Sequence, residues 1–136
     1  MILVIDTTDV ERIFLGLIQE GKFITKKTLA AKYQHAEKLL PAIIKLLSSP
    51  ARRQVQAIAV ISGPGSFTSL RIGVVTANAL AYAQRLPIIG ISKEEFTDLP
   101  SLAAVVSKKL KHAHVGGLVE PAYGKEPNIT IKKKYV

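Results

Sequence analysis

Apolar and polar residues fall along this chain in short blocks that read as strands and helices. Ile2-Leu3-Val4-Ile5 is an uninterrupted apolar run closed by Asp6, the pattern of a central strand buried on both faces. Asp6-Thr7-Thr8-Asp9 follows as a turn. Ile13 to Ile18 predicts a second strand, Gln19-Glu20-Gly21-Lys22 a hairpin connection with glycine at its bend, and Phe23 to Leu29 a third strand. Lys22, Lys26 and Lys27 mark that third strand as a sheet edge facing solvent.

Across 34–47, apolar residues stand at 39, 40, 43, 44, 46 and 47, which predicts a helix with a wide apolar face. Pro41 inside it predicts either a bend or an effective start near Leu40. Ser48 to Arg53 is a polar break. Ala57 to Ile61 then reads as a buried strand running into Ser62-Gly63-Pro64-Gly65, a loop eased by glycine and proline, with Ser66 at the N-cap of a helix.

From Phe67 through Ala83 the only charged residue is Arg71, while Leu70, Ile72, Val74, Val75, Ala77, Ala79, Leu80, Ala81 and Tyr82 spread round the whole circumference. A helix apolar all round must be covered on both sides. A chain this short has one layer of core to offer it, so its opposite face is expected to meet another polypeptide. Arg71, Thr76 and Asn78 argue against insertion in a bilayer.

Pro87 to Ile91 predicts a fifth strand at the other edge of the sheet. Ser92 and Glu95 have the spacing of a capping box opening a helix toward Asp98; Pro100 ends or bends it, and helical periodicity resumes from Ser101 to Lys111. Gly116-Gly117 is a turn or hinge, and the tail to Val136 carries Lys132-Lys133-Lys134.

Two hairpin strands followed by strands alternating with helices give an α/β fold whose mixed sheet has its parallel strands central and the order 3-2-1-4-5. That is a ribonuclease-H-like lobe over residues 1–97, followed by a helical bridge at 98–115 and a basic tail at 116–136.

Composition narrows the picture. At 136 residues and 48% hydrophobic content the chain is one ordinary domain and not a disordered segment. Cysteine is absent, which excludes disulfides and thiol chemistry. Met1 leads straight into the first strand without a basic n-region, so no signal peptide and a cytoplasmic location are expected. The net charge of +9 is uneven, with 12 Lys/Arg against 8 Asp/Glu in residues 1–100 and 7 against 2 in the remainder. Such a basic end suits attraction to a polyanion such as RNA, although a solvated lysine-rich surface explains it equally well.

The glycine loop, with Asp6, Thr7, Gly63, Gly65 and Ser66 as its candidate residues, invites a phosphate-binding reading because free N–H groups at a helix N-terminus attract anions. It lacks the Lys-Ser/Thr pair of a Walker motif and the spacing of a dinucleotide fold, so a conformational role is favoured. Asp6 ends a strand where a metal-ligating carboxylate could sit, but no other acid offers itself as a companion ligand. His35, His112 and His114 lack the cysteines or spaced acids of a zinc site, and Gly65-Ser66-Phe67 does not match a nucleophile elbow. No metal site and no catalytic residue are expected.

Ile5-Asp6-Thr7-Thr8, His35-Ala36-Glu37-Lys38-Leu39-Leu40-Pro41, the run from Gly63 to Gly73 and Pro87-Ile88-Ile89-Gly90-Ile91-Ser92 together resemble the TsaB family over residues 1 to about 97. Val119-Glu120-Pro121-Ala122-Tyr123 is a weaker echo of the family's C-terminal segment. The resemblance implies a degenerate relative of the actin-like ATPases: a non-catalytic subunit, without a cofactor of its own, in the synthesis of threonylcarbamoyladenosine in tRNA. It implies pairing with the catalytic paralogue TsaD, with the ATPase TsaE joining the pair, ATP and a metal ion in those partner subunits, tRNA in the assembled complex, and a homodimer when alone. Carried over, the pairing face comprises His35, Leu39, Leu40, Ile43 and Leu47 from one helix and Phe67, Leu70, Arg71, Val74, Val75, Asn78, Ala79 and Tyr82 from the next. Two departures stand out: Ser69 occupies a position where the family usually has glycine, and the family's second lobe is missing. A chain with one lobe has no cleft between lobes to hold nucleotide, so no independent ATPase, kinase or protease activity is expected. The alternatives are a nucleotide-binding enzyme built on the glycine loop and a basic tRNA-binding module.

Overall fold

A computed structural model describes residues 1–50 and 54–123. The Ala51-Arg52-Arg53 part of the polar break and the lysine run at 132–134 lie outside the described residues. Five strands form one sheet: β1 (Ile2–Asp6), β2 (Arg12–Gln19), β3 (Lys22–Ala30), β4 (Ala57–Gly63) and β5 (Ile88–Ser92), in the order β3-β2-β1-β4-β5. β1 pairs antiparallel with β2 and parallel with β4, in register Ile5↔Leu15 and Ile5↔Val60. The β2–β3 hairpin turns through Glu20 and Gly21, both at positive φ, and β4–β5 is again parallel.

Strict alternation divides the sheet's side chains between two cores. Leu3, Ile5, Leu15, Ile58 and Val60 meet the helices α1 (His35–Leu46) and α2 (Phe67–Gln84) on one face. Val4, Ile18, Ala59, Ile61, Ile89 and Ile91 meet α3 (Leu99–Leu110) on the other. Burial on both faces is why β1 and β4 read as unbroken apolar runs. Residues 98–115, expected as a bridge, place Leu102, Ala103 and Val106 in this second core, so α3 is a layer of the lobe itself.

Three local expectations need correction. α1 begins at His35 and passes through Pro41 without restarting near Leu40, with Leu39, Ile43 and Leu46 of the same helix anchored in the core on either side of the proline. The Ser92–Glu95 capping box is present, yet it caps a single 3₁₀ turn at Lys93–Glu95. The helix proper starts under a second box: Asp98 Oδ1 accepts from the Ser101 N–H at 2.8 Å and Ser101 Oγ accepts from the Asp98 N–H at 3.0 Å. The Ser101 N–H holds the Asp98 carboxyl below its ordinary range. Pro100 sits inside this first helical turn, where its missing N–H costs nothing, and so does not end the helix. Among the described residues, no helix is long and apolar enough to cross a membrane.

Candidate functional site

α1 and α2 lie side by side over one sheet face, and each spends one stripe on the core. On α1 the stripe is His35, Leu39, Ile43 and Leu46; on α2 it is Ser69, Leu70, Gly73, Val74, Ala77 and Ala81. Of the residues expected on a pairing face, His35, Leu39, Ile43, Leu70 and Val74 are therefore buried inside the lobe. Helical spacing explains this, since positions 39, 43 and 46 and positions 70, 74, 77 and 81 must share a side. The His35 ring fixes the β1–β2 connection, because its Nε2 faces two carbonyl oxygens, of Asp9 at 2.9 Å and Arg12 at 3.1 Å, and so carries the hydrogen.

The opposite stripe remains open. Val75 is 64% and Tyr82 88% exposed on α2, with Arg71 and Ala79 exposed beside them; Leu40 is 46% and Ile44 62% exposed on α1. Leu47 is half-buried. Ala36 meets Thr68, Arg71, Ile72 and Val75 around a hollow of about 370 Å³ between the two helices. Ala36 and Ile44 lie four residues to either side of Leu40, within the helix expected to form the pairing face, and so share its outward side.

A strap formed by residues 118–123 runs along one flank of α2. The Asn78 amide embraces the Val119 backbone, with Nδ2–H donating to the Val119 oxygen at 2.8 Å and Oδ1 accepting the Val119 N–H at 3.0 Å. Asn78 is thus committed to the strap, contrary to its expected place among partner-binding residues. The Ala122 N–H donates to the Ser62 oxygen at 2.7 Å. Tyr123 stacks on Phe67 with ring centroids 4.6 Å apart, and the Arg71 guanidinium lies 5.1 Å from the Phe67 centroid on the same ring. The strap covers this flank and leaves Val75, Ala79 and Tyr82 exposed. Replacing Asn78 by Ala removes both backbone bonds, and limited proteolysis should then cut between Gly117 and Tyr123 at least ten times faster than in the native chain, as expected for about 1.5–3 kcal/mol of lost local anchoring. Unchanged cleavage would mean that the strap is held by other contacts.

The glycine loop gathers at the carboxyl ends of β1 and β4, and most of its polar groups are turned inward. Asp6 Oδ1 accepts from the Thr8 N–H at 2.9 Å and the Thr8 hydroxyl at 2.7 Å. The Thr7 hydroxyl donates to the Ser69 carbonyl at 2.6 Å. Gly65 presses against Thr8, where a side-chain carbon would come within 2.8 Å of the Thr8 oxygen, and the Ser66 N–H donates to that oxygen at 3.1 Å. Gly63 has φ +129°, and a side-chain carbon there would collide with the Ala122 carbonyl of the strap. Ser66 holds the expected N-cap position of α2, but its side chain makes no cap hydrogen bond. Among the described residues, no group of three or more His, Asp or Glu could hold a metal ion.

A family model described as "TsaD: tRNA N6-adenosine threonylcarbamoyltransferase" matches residues 27–97. The chain is 32% identical over 124 residues to the tRNA threonylcarbamoyladenosine biosynthesis protein TsaB of Bacillus subtilis, covering 90% of this chain and 49% of that protein. Among solved structures it is similar to YeaZ from Pseudomonas aeruginosa, with TM-score 0.60 and 32% identity over 67% of this chain and 43% of that one. RuvC of T. thermophilus, solved with a Holliday junction substrate, superimposes with TM-score 0.53 at 13% identity over 90% of this chain and 83% of that one, a likeness of ribonuclease-H-like fold alone. The chain spans about half the length of the Bacillus relative.

Proposed function

The chain belongs to the TsaB/YeaZ family, and from that premise we propose that it serves tRNA threonylcarbamoyladenosine biosynthesis as a non-catalytic subunit that pairs with TsaD. The supporting observation is the open apolar stripe of Leu40, Ile44, Val75, Ala79 and Tyr82, left over after the lobe has closed both of its own cores. Exposed aromatic and aliphatic residues grouped on two neighbouring rods are the composition of a protein interface. Helix-on-helix pairing with a related lobe would cover them in the manner the lobe already uses inside itself.

In this reading the chain carries no cofactor. ATP and metal reside in TsaD and in TsaE, which joins the pair, and tRNA is met in the cytoplasm by the assembled complex. Alone, two copies pair through the same face. Against the nucleotide-binding alternative stands the engagement of the loop's own groups, with Asp6 turned onto Thr8 and Gly63 pressed against the strap. The test is a sizing column loaded with this chain and the matching TsaD at equal concentration. Co-elution as one heterodimer peak, at the expense of any homodimer, is the expected result; two separate peaks at micromolar concentration would end the pairing reading.

A further inference from the structure

One charge stands inside the open apolar stripe. Arg71 is exposed on α2, one turn before Val75, and lines the hollow of about 370 Å³ together with Ala36, Thr68, Ile72, Val75 and Thr76, none of them charged. Its guanidinium lies 5.1 Å from the Phe67 centroid, and Tyr123 braces that ring at 4.6 Å, so a long side chain is held in one orientation. Among the described residues the ion pairs join Arg12 to Asp9 and Lys109 to Glu95; no acid is paired with Arg71.

Covering the stripe changes the position of this charge. A guanidinium in water needs no acid, but one enclosed between apolar helix faces loses its hydration, and only a well-placed counter-ion offsets that loss. A subunit that closes over Val75, Ala79 and Tyr82 must therefore bring an acceptor to the hollow. A second copy of this chain is poorly equipped to do so. α1 and α2 together carry Lys38, Lys45 and Arg71 against a single acid, Glu37, so two such faces repel in sum. A face that presents an acid complements them.

We propose that the partner subunit inserts an aspartate or glutamate side chain into the hollow between α1 and α2, where its carboxylate accepts two N–H bonds from the Arg71 guanidinium. Thr68 and Thr76 line the same hollow, and their hydroxyls can donate to the carboxylate's remaining lone pairs. This inference rests on the pairing reading above and supplies its specificity: the apolar stripe alone would accept a second copy, while the fixed cation selects an acidic partner.

The experiment is a set of binding titrations between fluorescently labelled TsaD and the full chain, native or carrying Arg71→Lys, Arg71→Gln or Arg71→Glu. Arg71 is exposed in the isolated chain, so each variant should fold as the native chain does. Arg71→Gln is expected to raise Kd at least about 30-fold, because the partner's carboxylate is left buried and unpaired. Arg71→Lys, which keeps the charge and loses the planar fork, should fall between the two. Arg71→Glu should bind more weakly still, and exchange of one aspartate or glutamate of TsaD for lysine should restore it. Arg71→Gln binding within about three-fold of native, the range of an exposed ion pair, overturns the inference and leaves the pairing reading intact. Failure of every single acid-to-lysine exchange on TsaD to restore Arg71→Glu does the same. A native chain that does not bind TsaD ends the pairing reading itself, and this inference with it.

Discussion

Gly73→Ala should destabilise the lobe by about 2–4 kcal/mol, the range for forcing an atom into a packed interior. Gly73 lies on the inward stripe of α2, and its missing side chain lets the helix settle on the end of β1. A methyl group there would run into the Thr7 hydroxyl and stand 2.9 and 3.0 Å from the Thr7 methyl and Cβ. Thr7 has no room to yield: it is fully buried, and its hydroxyl is held by the Ser69 carbonyl at 2.6 Å. Urea unfolding of Gly73→Ala, Thr7→Ala and the double variant measures the coupling. The double variant should be less destabilised than the sum of the two by at least about 1 kcal/mol, because removing the hydroxyl relieves part of the clash. A Gly73→Ala protein within about 0.5 kcal/mol of the native chain would mean that helix and strand do not meet as closely as described.

The same contact explains which parts of the molecule could be seen in the amino-acid order and which could not. Strands buried on both faces carry unbroken apolar runs, so β1 and β4 announce themselves through residues 2–5 and 57–61, as does the hairpin through Gly21. The sheet order follows from how short connections and crossovers alternate. The phase of α2 is another matter. With apolar residues all round, nothing in the pattern says whether Leu70 and Val74 or Val75 and Ala79 face the sheet. Gly73 against Thr7 decides it, and that is a long-range contact between residues 66 positions apart. The docking of the strap was equally silent: Val119 to Tyr123 has no periodicity, and it is held by long-range contacts, the Asn78 amide on the Val119 backbone, the Ala122 N–H on the Ser62 oxygen and Tyr123 on Phe67. The helix start at Asp98 was masked by a nearer capping box at Ser92, since both segments carry the same local signal and only packing of Leu102 and Val106 against the sheet selects the second.

Val75→Glu and Ala79→Glu together should abolish the proposed pairing with TsaD, weakening it by at least about 100-fold, because a carboxylate buried at a helix–helix contact without a partner forfeits several kcal/mol. Both side chains are exposed on the outward stripe of α2, one turn apart, so neither change disturbs the inward contacts of Leu70, Gly73 and Ala77. Stability of the isolated chain should accordingly stay within about 0.5 kcal/mol of the native value, read from the same urea curves. Lys27→Glu, on the far edge strand β3, alters charge by the same sign away from the face and should leave pairing unchanged. The comparison separates an apolar docking surface from general electrostatic attraction by a chain of net charge +9. If the double variant still co-elutes with TsaD while Lys27→Glu does not, the lysine edge and not the two-helix stripe holds the partner. If homodimers of the native chain dissolve in the double variant as TsaD binding is lost, one surface serves both associations, and self-pairing is what the second subunit displaces.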